Sequence, residues 1–193
     1  MANLCSSYCV IEGDSSELMS LYDLMNGLEN SIEPSIANEY GPTWLGCLVD
    51  ALGSNWEDVN CRGQWSNLEL VDNTLRLSTE TAWEPCNQVF DLVCKSFPSL
   101  HYYYLSEEAN TPVYQTNDKE GKYFTDKYHV EIFTPEGECS YGNFPDLENV
   151  YKCLKTMFNR TFNSADDINK LVEEWKTIDE NAYCDIDPIR IVE

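Results

Sequence analysis

Positive charge is what this chain has least of. Twelve Lys and Arg stand against 34 Asp and Glu, the formal net charge is −22, and no basic residue precedes Arg62. Binding to DNA or RNA rests on clustered Lys and Arg that neutralise phosphates. The nearest thing to such a cluster is Lys152, Lys155 and Arg160, so a direct nucleic-acid ligand is not expected. Histidine is also scarce, with only His101 and His129, each inside a segment that reads as a strand. A zinc site needs four convergent ligands. The closest cysteine pair, Cys5 and Cys9, would share one strand face, and no second pair has metal spacing. There is no P-loop, dinucleotide fingerprint or metalloprotease motif. Charges or turn residues interrupt every apolar run before it reaches membrane-span length. Nothing at the N-terminus resembles a signal peptide. The expectation is therefore no catalytic residue, no metal, no cofactor and no membrane.

What is present is enough for a packed core. The chain has 193 residues, 42% of them hydrophobic and 12% aromatic, a composition outside that of disordered chains. Its nine cysteines are odd in number, and Cys86, Cys94 and Cys153 fall on apparent core faces of helices. These features point to reduced thiols in a cytoplasm rather than a disulfide framework.

Periodicity orders the elements. Leu4 to Glu12 reads as a strand closed by Gly13. Asp14 and Glu17 have capping-box spacing ahead of a helix with Leu18, Leu21, Tyr22, Met25 and Leu28 on one face. Residues 29–56 are rich in Asn, Ser, Gly and Pro, and read as an irregular acidic insertion with one short helix around Leu45, Leu48 and Leu52. Val59 to Trp65 reads as a strand, and Leu68 to Val71 with Thr74 to Thr79 as a hairpin turning at Asp72-Asn73. Pro85 opens a helix carrying Val89, Phe90, Val93 and Phe97 until Pro98 stops it. Strands are expected at Leu100 to Leu105, Val113 to Thr116, Lys122 to Thr125 and Tyr128 to Phe133. Alternation puts Tyr103 on the face opposite Tyr102 and Tyr104. Beyond residue 135, Leu147, Val150, Tyr151, Leu154 and Phe158 make one helical stripe. Ile168, Leu171, Val172, Trp175 and Ile178 make another. An acidic tail follows from Asp179; its Asp185-Ile186-Asp187 has two carboxylates but no neighbouring basic residue or glycine loop to suit magnesium-phosphate chemistry.

Three segments carry a family resemblance: Met1 to Cys5 running on to Ile11-Glu12-Gly13-Asp14, Ser54-Asn55-Trp56-Glu57, and Thr81-Ala82-Trp83-Glu84-Pro85 followed by Phe90 and Phe97-Pro98. Together they resemble the YubB-type ferredoxin-like proteins of bacterial plasmids, conjugative elements and phages. The resemblance implies a ferredoxin-like α+β sandwich, an antiparallel sheet with helices on one face, over 1–135. Residues 136–193 would then be a C-terminal helical appendage and tail. It transfers no catalytic residue, and it implies a protein carried by a mobile element.

The leading expectation combines charge with that context. Closely spaced carboxylates can occupy a groove built for phosphates, and long-range attraction speeds association. An acidic protein of a mobile element is then expected to engage a basic host protein, such as a CRISPR-Cas effector or a restriction enzyme, in the cytoplasm of the host bacterium. The candidate contacts are Glu29, Glu33, Glu39, Asp50, Glu57 and Asp58. Trp44, Trp56 and Trp65 lie in or beside the same insertion and could anchor an interface. Two other readings stay open: a small enzyme or ligand-binding domain whose site is assembled only by the fold, and a structural module that forms a homodimer through its sheet.

Overall fold

The computed structural model describes residues 3–108 and 113–192. Met1 and Ala2 of the first resembling segment, and Glu193 of the tail, lie outside them. The described residues form a mixed α+β protein with five α-helices, a six-stranded sheet of order β2-β3-β1-β4-β5-β9, in which β9 is Arg190–Ile191, and a three-stranded sheet of order β7-β6-β8. It divides into two compact units, 1–119 with 192–193, and 120–191. The division falls after Lys119, ahead of the expected boundary at 135.

In the first unit, β1 (Leu4–Glu12) is a central strand, antiparallel to β3 (Thr74–Ala82) on one side and β4 (His101–Glu108) on the other. β2 (Gly63–Val71) pairs outside β3, and β5 (Val113–Thr116) outside β4. The helices α1 (Ser15–Glu29) and α3 (Asn87–Ser96) sit between strands in the chain. Alternation decides the faces. Cys9 and Ile11 of β1, Leu75 and Leu77 of β3 and Tyr104 of β4 are buried in one core with Leu18, Leu21 and Met25 of α1 and Val89, Phe90 and Val93 of α3. Tyr103 pairs with Val10 on the other face and donates its hydroxyl to Glu12.

Several local expectations give way to tertiary geometry. Asp14 makes no side-chain cap; Glu17 instead accepts the amide and hydroxyl of Ser99, at 2.9 and 2.7 Å, so the approach to β4 takes the place of the capping box. Of the strand read at Val59 to Trp65, Val59 to Arg62 forms no strand, and Gly63 to Trp65 joins the first arm of the hairpin as one strand, β2. A register shift between Ser66 and Glu69, with Asn67 at φ 55°, accounts for the polar gap. The turn does fall at Asp72-Asn73, both left-handed, as a type I′ hairpin requires. Lys122 to Thr125 forms no strand.

The insertion differs most from its composition. Within it, α2 (Leu45–Ala51) buries Leu45, Gly46, Cys47, Leu48 and Val49 in the main core. It ends in a Schellman arrangement: Ser54 N–H bonds Val49 O, Gly53 N–H bonds Asp50 O, and Gly53 takes φ 77°. A short 3-10 turn, Trp56–Asp58, follows.

In the second unit, α4 (Leu147–Phe158) and α5 (Ala165–Lys176) are the expected helical pair, capped by the side chains of Asp146 and Ser164. They cover a sheet of their own. β6 (Tyr128–Phe133) runs antiparallel to β7 (Cys139–Phe144) and to β8 (Tyr183–Pro188). Val130 and Ile132 pack with Val150, Leu154, Ile168, Leu171 and Trp175. The acidic tail therefore contains a strand, because Ala182 and Cys184 join that core between exposed acids. Ile178, read as part of the helical stripe, is exposed.

Candidate functional site

The six acids expected to contact a partner lie on four pieces of the first unit. Glu29 ends α1, Glu33 and Glu39 are exposed in the loop that follows, and Asp50, Glu57 and Asp58 are exposed on α2 and the 3-10 turn. None of them is in an ion pair among the described residues.

Asp50, Glu57 and Asp58 are the best anchored. The Asn55 side chain accepts the Glu57 amide and donates to Asp58 Oδ2 at 3.1 Å. Beneath them Trp56 meets Trp44 edge to face at 5.1 Å, and Tyr40 stacks on the other ring at 6.3 Å. Gly46 is required there: a Cβ would lie 2.4 Å from the Trp44 ring. The charges thus stand on a block whose underside is fixed by aromatic packing and α2.

Of the two roles open to the tryptophans in or beside the insertion, an interface anchor or the commoner core role, they take the core one. Trp44 and Trp65 are buried and Trp56 partly so, which makes them core residues. The exposed one is Trp83, 54% accessible and held at φ 74° by its position after β3, where its amide bonds Asn3 O. Nothing in its residue type signals this. Only the neighbouring Pro85 marks the turn.

Charge is divided unevenly. Residues 1–119 contain eighteen acids and four basic residues, whereas 120–191 contain fifteen and eight. The field expected of the acidic stretch is thus attached to one compact body.

Three of the buried thiols are poorly suited to act as nucleophiles. All nine cysteines are free. Burial pushes the thiols of Cys9, Cys86 and Cys184 up to about 12, the opposite of the lowered value a reactive cysteine needs. Cys5 and Cys9 share the core face of β1, as expected. His101 is exposed; His129 is buried on β6, with Nδ1 2.6 Å from Asn143 Oδ1 and Nε2 3.5 Å from Glu131. Among the described residues no group of His, Cys, Asp and Glu has the geometry to hold a metal ion, and no helix is long and apolar enough to cross a membrane.

Asp185 and Asp187 extend from β8, opposite Glu131 and His129 of β6 respectively. Burial, then Asp187 and Glu131, raises the Asp185 carboxyl above its ordinary value. Two like charges are thus directly cross-strand.

Comparison of the chain with protein-family models, with curated proteins and with solved structures finds no match.

Proposed function

We propose that the first unit is an acidic binding module that engages a basic protein surface, in particular the nucleic-acid groove of a host protein. The observation that carries this reading is the rigid mounting of unpaired carboxylates. Asp50 stands on α2, which is seated in the core, and Glu57 and Asp58 on a 3-10 turn whose partly buried Trp56 packs against it, in a stretch with no Lys or Arg to neutralise them. A merely solubilising surface needs no such fixed spacing, whereas imitation of a phosphate row does.

The order β1-α1-β2-β3-α3-β4 with sheet sequence β2-β3-β1-β4 supports assigning this unit to the ferredoxin-like sandwich. With the three resembling segments, that assignment motivates the narrower proposal that the protein belongs to a mobile element and inhibits a defence nuclease, either a CRISPR-Cas effector or a restriction enzyme. The fold would supply only the platform, and the acidic segment the function.

The test begins with capture from bacterial lysate on the immobilised protein at about 0.05 M salt and elution at about 0.5 M, where the Debye length falls to roughly 4 Å. The retained protein is then titrated with labelled nucleic acid. Competition is expected, and the combined Glu39→Gln, Asp50→Asn, Glu57→Gln and Asp58→Asn variant should lose it while keeping its melting temperature. Simultaneous binding of protein and nucleic acid with unchanged affinities would refute occupancy of the groove.

A further inference from the structure

Sheet edges expose rows of unpaired amides and carbonyls, and proteins defend them with charge, proline, bulges or brevity. Three of the four edges here follow that rule. β2 carries Glu69 and a bulge, β8 carries Asp185, Asp187 and Pro188, and β9 is two residues long. The fourth does not. β7, Cys-Ser-Tyr-Gly-Asn-Phe, has no charged residue in a chain that is 24% charged, contains no proline, and keeps one unbroken register against β6 from Cys139 to Phe144.

The hairpin that builds β7 fixes which groups it offers. Thr134 N–H bonds Glu138 O and Gly137 N–H bonds Thr134 O, both at 2.9 Å, with Gly137 at φ 82° in the bulge position. The alternation of an antiparallel ladder then directs Ser140, Gly142 and Phe144 to bond β6, and leaves the amides and carbonyls of Cys139, Tyr141 and Asn143 on the open side.

Beside this edge lies a small apolar cleft of about 50 Å³, between β7 and α4, lined by Ile132, Gly142, Phe144, Leu154 and Met157 among others. It exists because the strand positions facing α4 include Ser140 and Gly142, which are too small to fill it. Tyr141 on the opposite face is 79% exposed and Met157 at the rim 44%.

We infer that β7 is an acceptor edge for an extended segment of another protein, which adds as a fourth strand and places apolar side chains into the cleft. The ends of β7 specify the rest of the occupant. Glu136 and Glu138 precede it, whereas Asp146 beyond its other end caps α4 and Glu148 is paired with Lys152 at 2.7 Å, so a segment with Lys or Arg at the end that meets Glu136 and Glu138 matches the site. A second copy of this chain does not fit: its own β7 would present Ser140 and Gly142 to the cleft and bring the same carboxylates together. This surface belongs to the second unit and is independent of the acidic module of the first.

The probe is a labelled synthetic peptide in which Val alternates with Thr between terminal lysine pairs, compared with the same peptide N-methylated at alternate amides. Hydrogen exchange at Cys139, Tyr141 and Asn143 should slow at up to about 1 mM unmodified peptide, and not with the methylated one, which cannot extend the ladder. Gly142→Val fills the cleft from within; the added Cβ meets only the Phe144 ring, at 3.5 Å, so the fold should persist. It should weaken binding at least tenfold, as should Tyr141→Lys. Absence of protection, equal effects of the two peptides, unchanged binding by both variants, or protection that arises from dimerisation without peptide would each overturn the inference.

Discussion

Leu48→Ala tests whether the acidic segment is mounted on the core. Leu48 is fully buried in α2, with Leu45, Cys47 and Val49 around it. The substitution removes about three buried carbons at ~0.8 kcal/mol each, and incomplete collapse of the space left adds about another 1 kcal/mol. A loss of roughly 3 kcal/mol should lower the melting midpoint by about 6–12 °C. Tryptophan fluorescence reports it well, since Trp44, Trp56, Trp65 and Trp83 all lie in the first unit. Asp50→Asn is the control. It removes an exposed charge from the last turn of α2, where acids oppose the helix dipole, and should be neutral or stabilising by a few tenths of a kcal/mol. If Leu48→Ala costs less than about 1 kcal/mol, α2 is peripheral, and the argument for a rigidly spaced row of carboxylates fails with it.

Other outcomes follow from the same packing. Val93→Asp places an unpaired carboxylate beneath α3 and should cost more than about 3 kcal/mol; an unchanged urea midpoint would show that the face is misassigned. Native protein mixed with a chromogenic disulfide at about pH 8 should release the exposed Cys139 thiol quickly and those of Cys9, Cys86 and Cys184 only on unfolding, because their thiolates are strongly disfavoured. Rapid release from any of these three would contradict their burial. Asp185 holds its proton more tightly in the folded chain than at its ordinary value of 3.8, so stability associated with it is lost as pH rises through the folded value. Asp185→Asn should therefore raise the melting temperature at about pH 7, by the equivalent of a few tenths to 1 kcal/mol, and change it little at about pH 3. A larger gain at the lower pH would reverse the sign and refute the cross-strand repulsion with Glu131.

Much of the framework was legible along the chain because it depends on local periodicity. β1, α1, α3, α4 and α5 have apolar spacings that suit one conformation, and Asp72-Asn73 suits a turn that demands two left-handed residues. The alternation that separates Tyr103 from Tyr102 and Tyr104 is a property of any strand. The acidic candidates were legible as composition, since charge counts need no fold.

What the tertiary structure decided depends on contacts distant in sequence. Glu17 has the spacing of a cap, yet Ser99 lies close enough to take both its hydrogen bonds. The insertion looks irregular because its Gly, Pro and Asn residues shape turns. The short helix expected around Leu45, Leu48 and Leu52 does form, as α2, and what packing decided is its burial against α1, α3 and β2. β7 was missed since Cys, Ser, Gly and Asn give no strand signal, although Pro135, Glu136 and Gly137 spelled out its turn. β8 was hidden among acids, because alternation buries only Ala182 and Cys184 in that stretch while charge dominates its composition. Sequence alone therefore determined the charge of this protein and where most of its helices and strands run. Only the packed structure decided which acids stand on rigid ground and which strand edge is left open, because both are set by pairing between segments far apart in the chain.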